Sequence, residues 1–283
     1  MKMSLPGAVA LATLTLTTCW SAEPAAKIDL EAQKWNGNAI CYSGYRAGQS
    51  PRTEKAPTHP QVLEDLKILE RNWKLIRLYG SDRNAQDVLK TIRRKKMGLK
   101  AMLGIWLEGG PGHERENAKQ VAEGIRLANA YKDIVVAVSV GNEILVQWSD
   151  HRLTEEKAIE YVEQVKKAVS CPVTVDDDVL YWQQPEAKLA NLVDFISMHT
   201  YPMWAHEDID TAMPTTIERY ETVRKAHPGK TIVIGEAGWA TYTVGEKHAP
   251  RAGDETKQRR YYSELTAWAK ANGVTVFWFE AFD

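Results

Sequence analysis

Two glutamates in this chain stand where an apolar run ends. The stretch VVAVSVGNE at 135–143 is β-branched up to Gly141 and closes on Asn142 and Glu143, and TIVIGEAGW at 231–239 has the same build around Gly235 and Glu236. A carboxylate buried without a partner is costly, so each glutamate either pairs with a cation such as Arg77 or is held there for chemistry. For one such residue the two readings are even; for two of the same build the functional one prevails. Paired carboxylates suit glycoside hydrolysis. One, kept protonated, gives its proton to the leaving oxygen, while the other stays ionised and attacks or stabilises the anomeric carbon. Asn142, next to Glu143, brings an amide that can hydrogen-bond a sugar 2-hydroxyl.

The elements that must position this pair are legible as alternation. Short β-rich runs fall at 39–42, 75–79, 100–107, 135–141, 173–176, 195–198, 231–235 and 274–280, with amphipathic helical patterns between most of them. Thr58 and Pro60 occupy the cap and first-turn places of one helix, whose apolar stripe is Val62, Leu66 and Leu69. Further helices are predicted from DVLKTIRRKKMG ending at Gly98, from NAKQVAEGIRLANAY, from TEEKAIEYVEQVKKAV, from PTTIERYETVRKA starting at Pro214, and from DETKQRRYYSELTAWAKANG. Strands this apolar, alternating with helices, call for a parallel sheet covered on its outer face, and eight strands close a (β/α)8 TIM barrel of the α/β class. In such a barrel the C-terminal ends of the strands carry the active face, so Glu143 on strand four and Glu236 on strand seven share one rim.

Composition narrows the partners. Charged residues make up 26% of the 283 and the net charge is -1, which offers nothing to a nucleic acid; RRKK at 93–96 reads as a solvated helix face. Ten tryptophans and eleven tyrosines against four phenylalanines would suit sugar stacking, though they also pack cores. Lys2 followed by an apolar, Thr-rich run too short to span a bilayer reads as a secretory signal peptide over residues 1–26, leaving one catalytic domain at 27–283 and a secreted or periplasmic monomer without a membrane span. LTTC at 16–19 faintly resembles a lipobox that would anchor Cys19, half as favoured as the plain leader. Cys41 and Cys171 are read as buried small hydrophobes and not a disulfide.

The pair Asn142–Glu143 with Glu236 resembles the clan of retaining (β/α)8 glycosidases. Within it, IRLYG at 76–80, VSVGNE at 138–143, HTYPMW at 199–204, GEAGW at 235–239 and WFEAFD at 278–283 together resemble glycoside hydrolase family 17, the β-1,3-glucanases and glucanosyltransferases. The resemblance implies a retaining enzyme on β-1,3-linked glucan, with Glu143 as acid/base and Glu236 as nucleophile. The alternatives are a glucanosyltransferase using the same two glutamates and an inactive barrel that only binds glucan. The family's last strand usually runs on into a closing helix, whereas this sequence stops at Asp283. Exposed outer faces on strands one and eight are therefore expected.

Around the pair, Tyr201 is placed to hydrogen-bond Glu236, Arg77 to pair with a carboxylate, and Tyr79 to reach a sugar hydroxyl. Trp204, Trp239 and Trp278 are candidate stacking platforms. Asp176, Asp177 and Asp178 could imitate a metal site or bind sugar hydroxyls at the end of strand five, and sugar is favoured, with Asp177 the binding candidate. His199 reads as a scaffold residue, since no HxH or HxxxH pattern supports a metal, and Glu280 as a support beside the nucleophile. No metal or cofactor is expected.

Overall fold

The β-branched runs form the strands of a closed parallel barrel. In the computed structural model, which describes residue 1 and residues 39–53, 55–243 and 252–282, they are β1 Ala39–Cys41, β2 Leu75–Leu78, β3 Lys100–Ile105, β4 Val135–Asn142, β5 Val173–Asp178, β6 Ile196–His199, β7 Ile232–Ala237 and β8 Val276–Trp278. Each pairs with the next and β8 returns to β1, Ala39 opposite Phe277 and Ile40 opposite Trp278. The predicted (β/α)8 barrel is thus the observed one. Apart from Met1, the predicted leader, with Cys19, and also Asp283, lie outside the described residues.

Helices α1 His59–Leu69, α2 Arg83–Lys95, α3 Glu114–Ala130 and α4 Glu155–Ala168 follow the first four strands. Their starts are fixed locally: Gln61 Oε1 accepts the Thr58 N–H at 2.8 Å, Asp82 accepts from Ala85, and Thr154 accepts from Lys157. The second half of the barrel keeps the gap in the helical pattern between strands five and six and moves one predicted helix start. Between β5 and β6 lie only two single turns, α5 Val179–Trp182 and α6 Leu189–Leu192. The next helix, α7 Ile209–Ala226, starts ahead of Pro214, because Asp208 caps it by accepting the Ile209 N–H at 2.7 Å. The last helix, α8 Glu255–Asn272, ends on Gly273 in the left-handed conformation, as its sequence predicts.

Two apolar layers hold the barrel. Val, Ile and Leu side chains on the outer face of the sheet pack under the helices, and a smaller inner cluster of Ala39, Leu75, Met102, Phe195, Val233 and Phe277 fills the barrel. The expected exposed seam at β1 and β8 is not found: Ile40 is 3% and Trp278 8% exposed. Tyr261 and Tyr262 of α8 cover Trp278, the Tyr262 ring 5.0 Å away, and Phe282 packs edge-on to Tyr42. Cys41 is buried inside the barrel, but Cys171 lies just before β5 and is only half-buried, which corrects the reading of both as buried; both thiols are free.

Candidate active site

Polar side chains replace apolar ones toward the C-terminal rim, and Arg77 of β2 is the hub that makes this possible. The residue is 1% exposed; its Nε donates to Asp176 Oδ2 at 2.6 Å, Nη1 to Glu236 Oε1, and Nη2 to Asn142 Oδ1 at 2.6 Å. A guanidinium presents its donors as a rigid planar fork, so one side chain fixes groups from β4, β5 and β7. Ser197 of β6 donates to the other oxygen of Asp176. Gly235 permits this closure: a Cβ there would lie 2.8 Å from Asp176 Oδ1.

Glu236 is 5% exposed and both its oxygens are engaged, Oε1 by Arg77 and Oε2 by the Tyr201 hydroxyl at 2.6 Å. Burial works against its charge, but His199, Arg77 and the Tyr201 hydrogen bond outweigh it, so the carboxyl is held below the usual glutamate range. Glu143 sits just beyond β4 with φ +51°, and Gly141 at φ +94° makes the turn that precedes it; a Cβ on Gly141 would lie 2.5 Å from Ile144 Cδ1. This left-handed turn is pinned by Glu143 N–H to Asp176 O at 2.8 Å and Leu145 N–H to Asp177 Oδ2 at 2.9 Å. His199 is fully buried between the two glutamates, Nδ1 3.0 Å from Glu143 Oε1 and 3.7 Å from Glu236 Oε2. Burial opposes its protonation, yet the two carboxylates raise its pKa. Nε2 has no hydrogen-bond partner among the described residues.

Glu143, His199 and Glu236 bring one ligand atom each within 4.8 Å of one another, the spacing of a metal cluster. The donor set fits a cation poorly. Both Glu236 oxygens already serve Arg77 and Tyr201, and the His199 nitrogen between the carboxylates is already used by Glu143. The arrangement can instead hold one carboxylate ionised and pass a proton through the other.

Most sequence-predicted site residues converge here. Arg77, Asn142, Glu143, His199, Tyr201 and Glu236 are joined by the contacts above. Tyr79 lies beneath the Arg77 guanidinium, 4.5 Å from its ring centre, and its hydroxyl is sealed from solvent without a hydrogen-bond partner among the described residues. The Asn142 side-chain oxygen accepts from Arg77. Trp204 lies in a single turn after β6 and is 48% exposed, as a platform would be. Glu280 is half-buried just past β8.

Three expectations are corrected. Trp239 is 3% exposed, its indole N–H given to Ala252 O at 2.9 Å and its ring against Tyr261, so it belongs to the packing of α8. Trp278 points outward into α8, and the next residue, Phe279, turns toward the rim, edge-on to Tyr201 at 5.9 Å. Asp177 is fully buried and spends both oxygens on backbone N–H groups of Leu145 and Asp178, so it positions the Glu143 turn and offers nothing to sugar; burial pushes its carboxyl up to about 7. Asp176 and Asp178 are likewise occupied, the latter capping α5 through Leu180 N–H. The sequence reading also passed over Trp106 at the end of β3, stacked 4.8 Å from His151, whose Nε2 donates to Asn142 O at 2.8 Å. The WLE at 106–108 beside a strand end was the available signal.

Comparison with known proteins points the same way. The profile described as BtgE/BtgC glycoside hydrolase domain matches residues 39–283. The btgC protein of Aspergillus niger is 30% identical over 249 residues, 80% of this chain. The glucan endo-1,3-beta-glucosidase btgC of Emericella nidulans is 24% identical over 258 residues, 83% of this chain. The chain spans only 36% and 39% of these two relatives' lengths. Among solved structures, an endo-laminarinase from Formosa Hel1_33_131 superposes with a TM-score of 0.77 at 26% identity, covering 89% of this chain and 80% of that one. A β-1,3-glucanosyltransferase of Rhizomucor miehei, an active-site mutant in complex with laminaritriose, shares the fold with a TM-score of 0.72 at 22% identity, covering 89% and 88%.

Proposed function

The chain belongs to the BtgE/BtgC glycoside hydrolase domain family, shown by the match over residues 39–283, and from that premise we propose that it is a retaining glycoside hydrolase of β-1,3-glucan, of the family 17 type. Residues 27–283 form its one catalytic domain, and residues 1–26 direct it out of the cytoplasm, where a polymeric glucan is met. Glu236, ionised under Arg77, Tyr201 and His199, attacks the anomeric carbon and forms the glycosyl-enzyme. Glu143 delivers a proton to the leaving oxygen, then takes one from the water that resolves the intermediate. The Asn142 amide binds a sugar hydroxyl, and Trp204 stacks at the rim.

The observation that carries this reading is the spacing of the two glutamates. One oxygen of each lies within 4.8 Å of the other, a close approach that suits the ~5–5.5 Å carboxyl separation of retaining enzymes better than the ~6.5–9.5 Å that makes room for a water in inverting ones. The test uses an activated aryl β-glucoside or laminaribioside. Glu236→Ala is expected to be inactive with or without azide. Glu143→Ala is expected to lose ~10²–10⁴-fold on laminarin but to be rescued by azide on the aryl substrate, giving the β-glycosyl azide. An α-azide, or rescue of Glu236→Ala alone, would exchange the roles; no rescue of either would remove the covalent mechanism.

A further inference from the structure

Glu143 stands in a conformation that its neighbours must impose. Its φ of +51° lies where a side chain crowds the backbone, and if the peptide plane joining it to Asn142 turned over, φ would return to the negative values that L residues prefer. That plane is rigid, so two grips suffice to hold it. On one side the Glu143 N–H donates to Asp176 O at 2.8 Å. On the other, the Asn142 carbonyl accepts from His151 Nε2, also at 2.8 Å. This second grip comes from the loop after β4.

His151 is built to keep it. The residue is buried, and a carbonyl oxygen can only accept, so Nε2 carries a proton in either state of the ring. Nδ1 lies 2.8 Å from Asp150 Oδ1 and 3.3 Å from Ser149 Oγ. A charged ring donates there to Asp150 and a neutral one accepts from Ser149, and the bond to Asn142 survives both. The ring lies against Trp106, with centroids 4.8 Å apart and planes 31° off parallel. The Trp106 indole N–H donates to Glu108 Oε1 at 2.8 Å. Glu108 in turn is tied to α3 by Asn117, which accepts its N–H at 2.9 Å and donates to its carbonyl at 2.8 Å. The backbone completes the frame, since His151 O accepts the Gly109 N–H at 2.9 Å.

We propose that His151 is a positioning residue for proton transfer by Glu143, the acid/base in the reading on which this inference rests. It acts through the peptide plane and not on the sugar. Holding that plane from its carbonyl side keeps the Glu143 carboxyl aimed at the leaving oxygen, and misplacing a catalytic group by about 1 Å can cost ~10²-fold in rate. Glu236 is held separately, by Arg77 and Tyr201, so attack on the anomeric carbon stays intact without His151. The loss therefore has a signature: it is large where the leaving group needs a proton and small where it does not.

The test compares kcat/KM on laminarin with kcat/KM on 2,4-dinitrophenyl β-laminaribioside, whose phenol departs without a proton. His151→Phe keeps a ring for Trp106 and loses the donor, whereas His151→Gln puts an N–H donor at similar reach. His151→Phe is expected to fall ~10–100-fold on laminarin and less than about twofold on the aryl substrate, and His151→Gln to stay within about threefold of wild type on both. Equal falls on the two substrates, no fall on laminarin, or equal behaviour of the two variants would overturn the assignment. Should His151→Phe not fold, His151→Asn, one methylene shorter than His151→Gln and out of reach of the Asn142 carbonyl, takes its place in the same comparison. Failure of the glycosidase reading would look different: wild-type protein that hydrolyses neither substrate, or azide rescue that exchanges the two glutamates.

Discussion

Replacing Arg77 by methionine tests the hub on which the site is built. The substitution keeps much of the volume and removes the charge, leaving Asp176 and Glu236 buried, at 1% and 5% exposure, without their cation. Removing one partner of a buried ion pair costs ~3–5 kcal/mol. Two carboxylates are stranded here, but Ser197 still donates to Asp176, and Tyr201 and His199 still face Glu236, so the whole loss should stay within that range. Against a domain stability of ~5–15 kcal/mol the variant folds, and urea unfolding followed by tryptophan fluorescence at pH 7 measures the deficit. The sign of the pH effect follows from Glu236. Its folded pKa is depressed, with Arg77 among the causes after His199, so its stabilising contribution is present above the ordinary glutamate pKa and lost as pH falls through the folded one. Without Arg77 that pKa rises, and the acid limb of kcat/KM should move to higher pH. Adding Asp176→Asn should return ~1–2 kcal/mol, a coupling typical of directly contacting groups. The reasoning fails if Arg77→Met costs under ~1 kcal/mol, or if the double variant is no more stable than the single one.

Asp177, with its carboxyl pushed up to about 7 by burial, should make the native state hold a proton that the unfolded chain has released. Stability should therefore fall as pH rises from about 4 to 7, by up to ~4 kcal/mol at ~1.36 kcal/mol per unit, and Asp177→Asn should flatten that slope in urea titrations; an unchanged slope would assign it to other groups. Trp239→Ala should cost ~3–5 kcal/mol as a core truncation while the folded fraction keeps its kcat/KM on laminarin. A lower kcat/KM with an unmoved melting temperature would return Trp239 to the substrate site.

The sequence by itself determined the strand order and the rim. Apolar runs separated by helical stretches leave a parallel barrel as the way to bury both faces, and every strand end then points to one side. Residues placed by that rule alone, Arg77, Asn142, Glu143, Tyr201 and Glu236, do meet. What the tertiary structure decided is which way the neighbours of those residues face. A strand side chain changes face at every residue, and the pairing of β7 with β8 shifts register between Ile234 and Ala237, so Phe279 and not Trp278 reaches the rim. Trp239 lies beyond its strand, where no period applies, and its direction is set by Ala252 and Tyr261, 13 and 22 positions further along. The three consecutive aspartates divide between an Arg from β2, a turn after β4 and a helix start. Partners so distant in the chain leave no local pattern, because their choice depends on which strands the closed barrel makes adjacent.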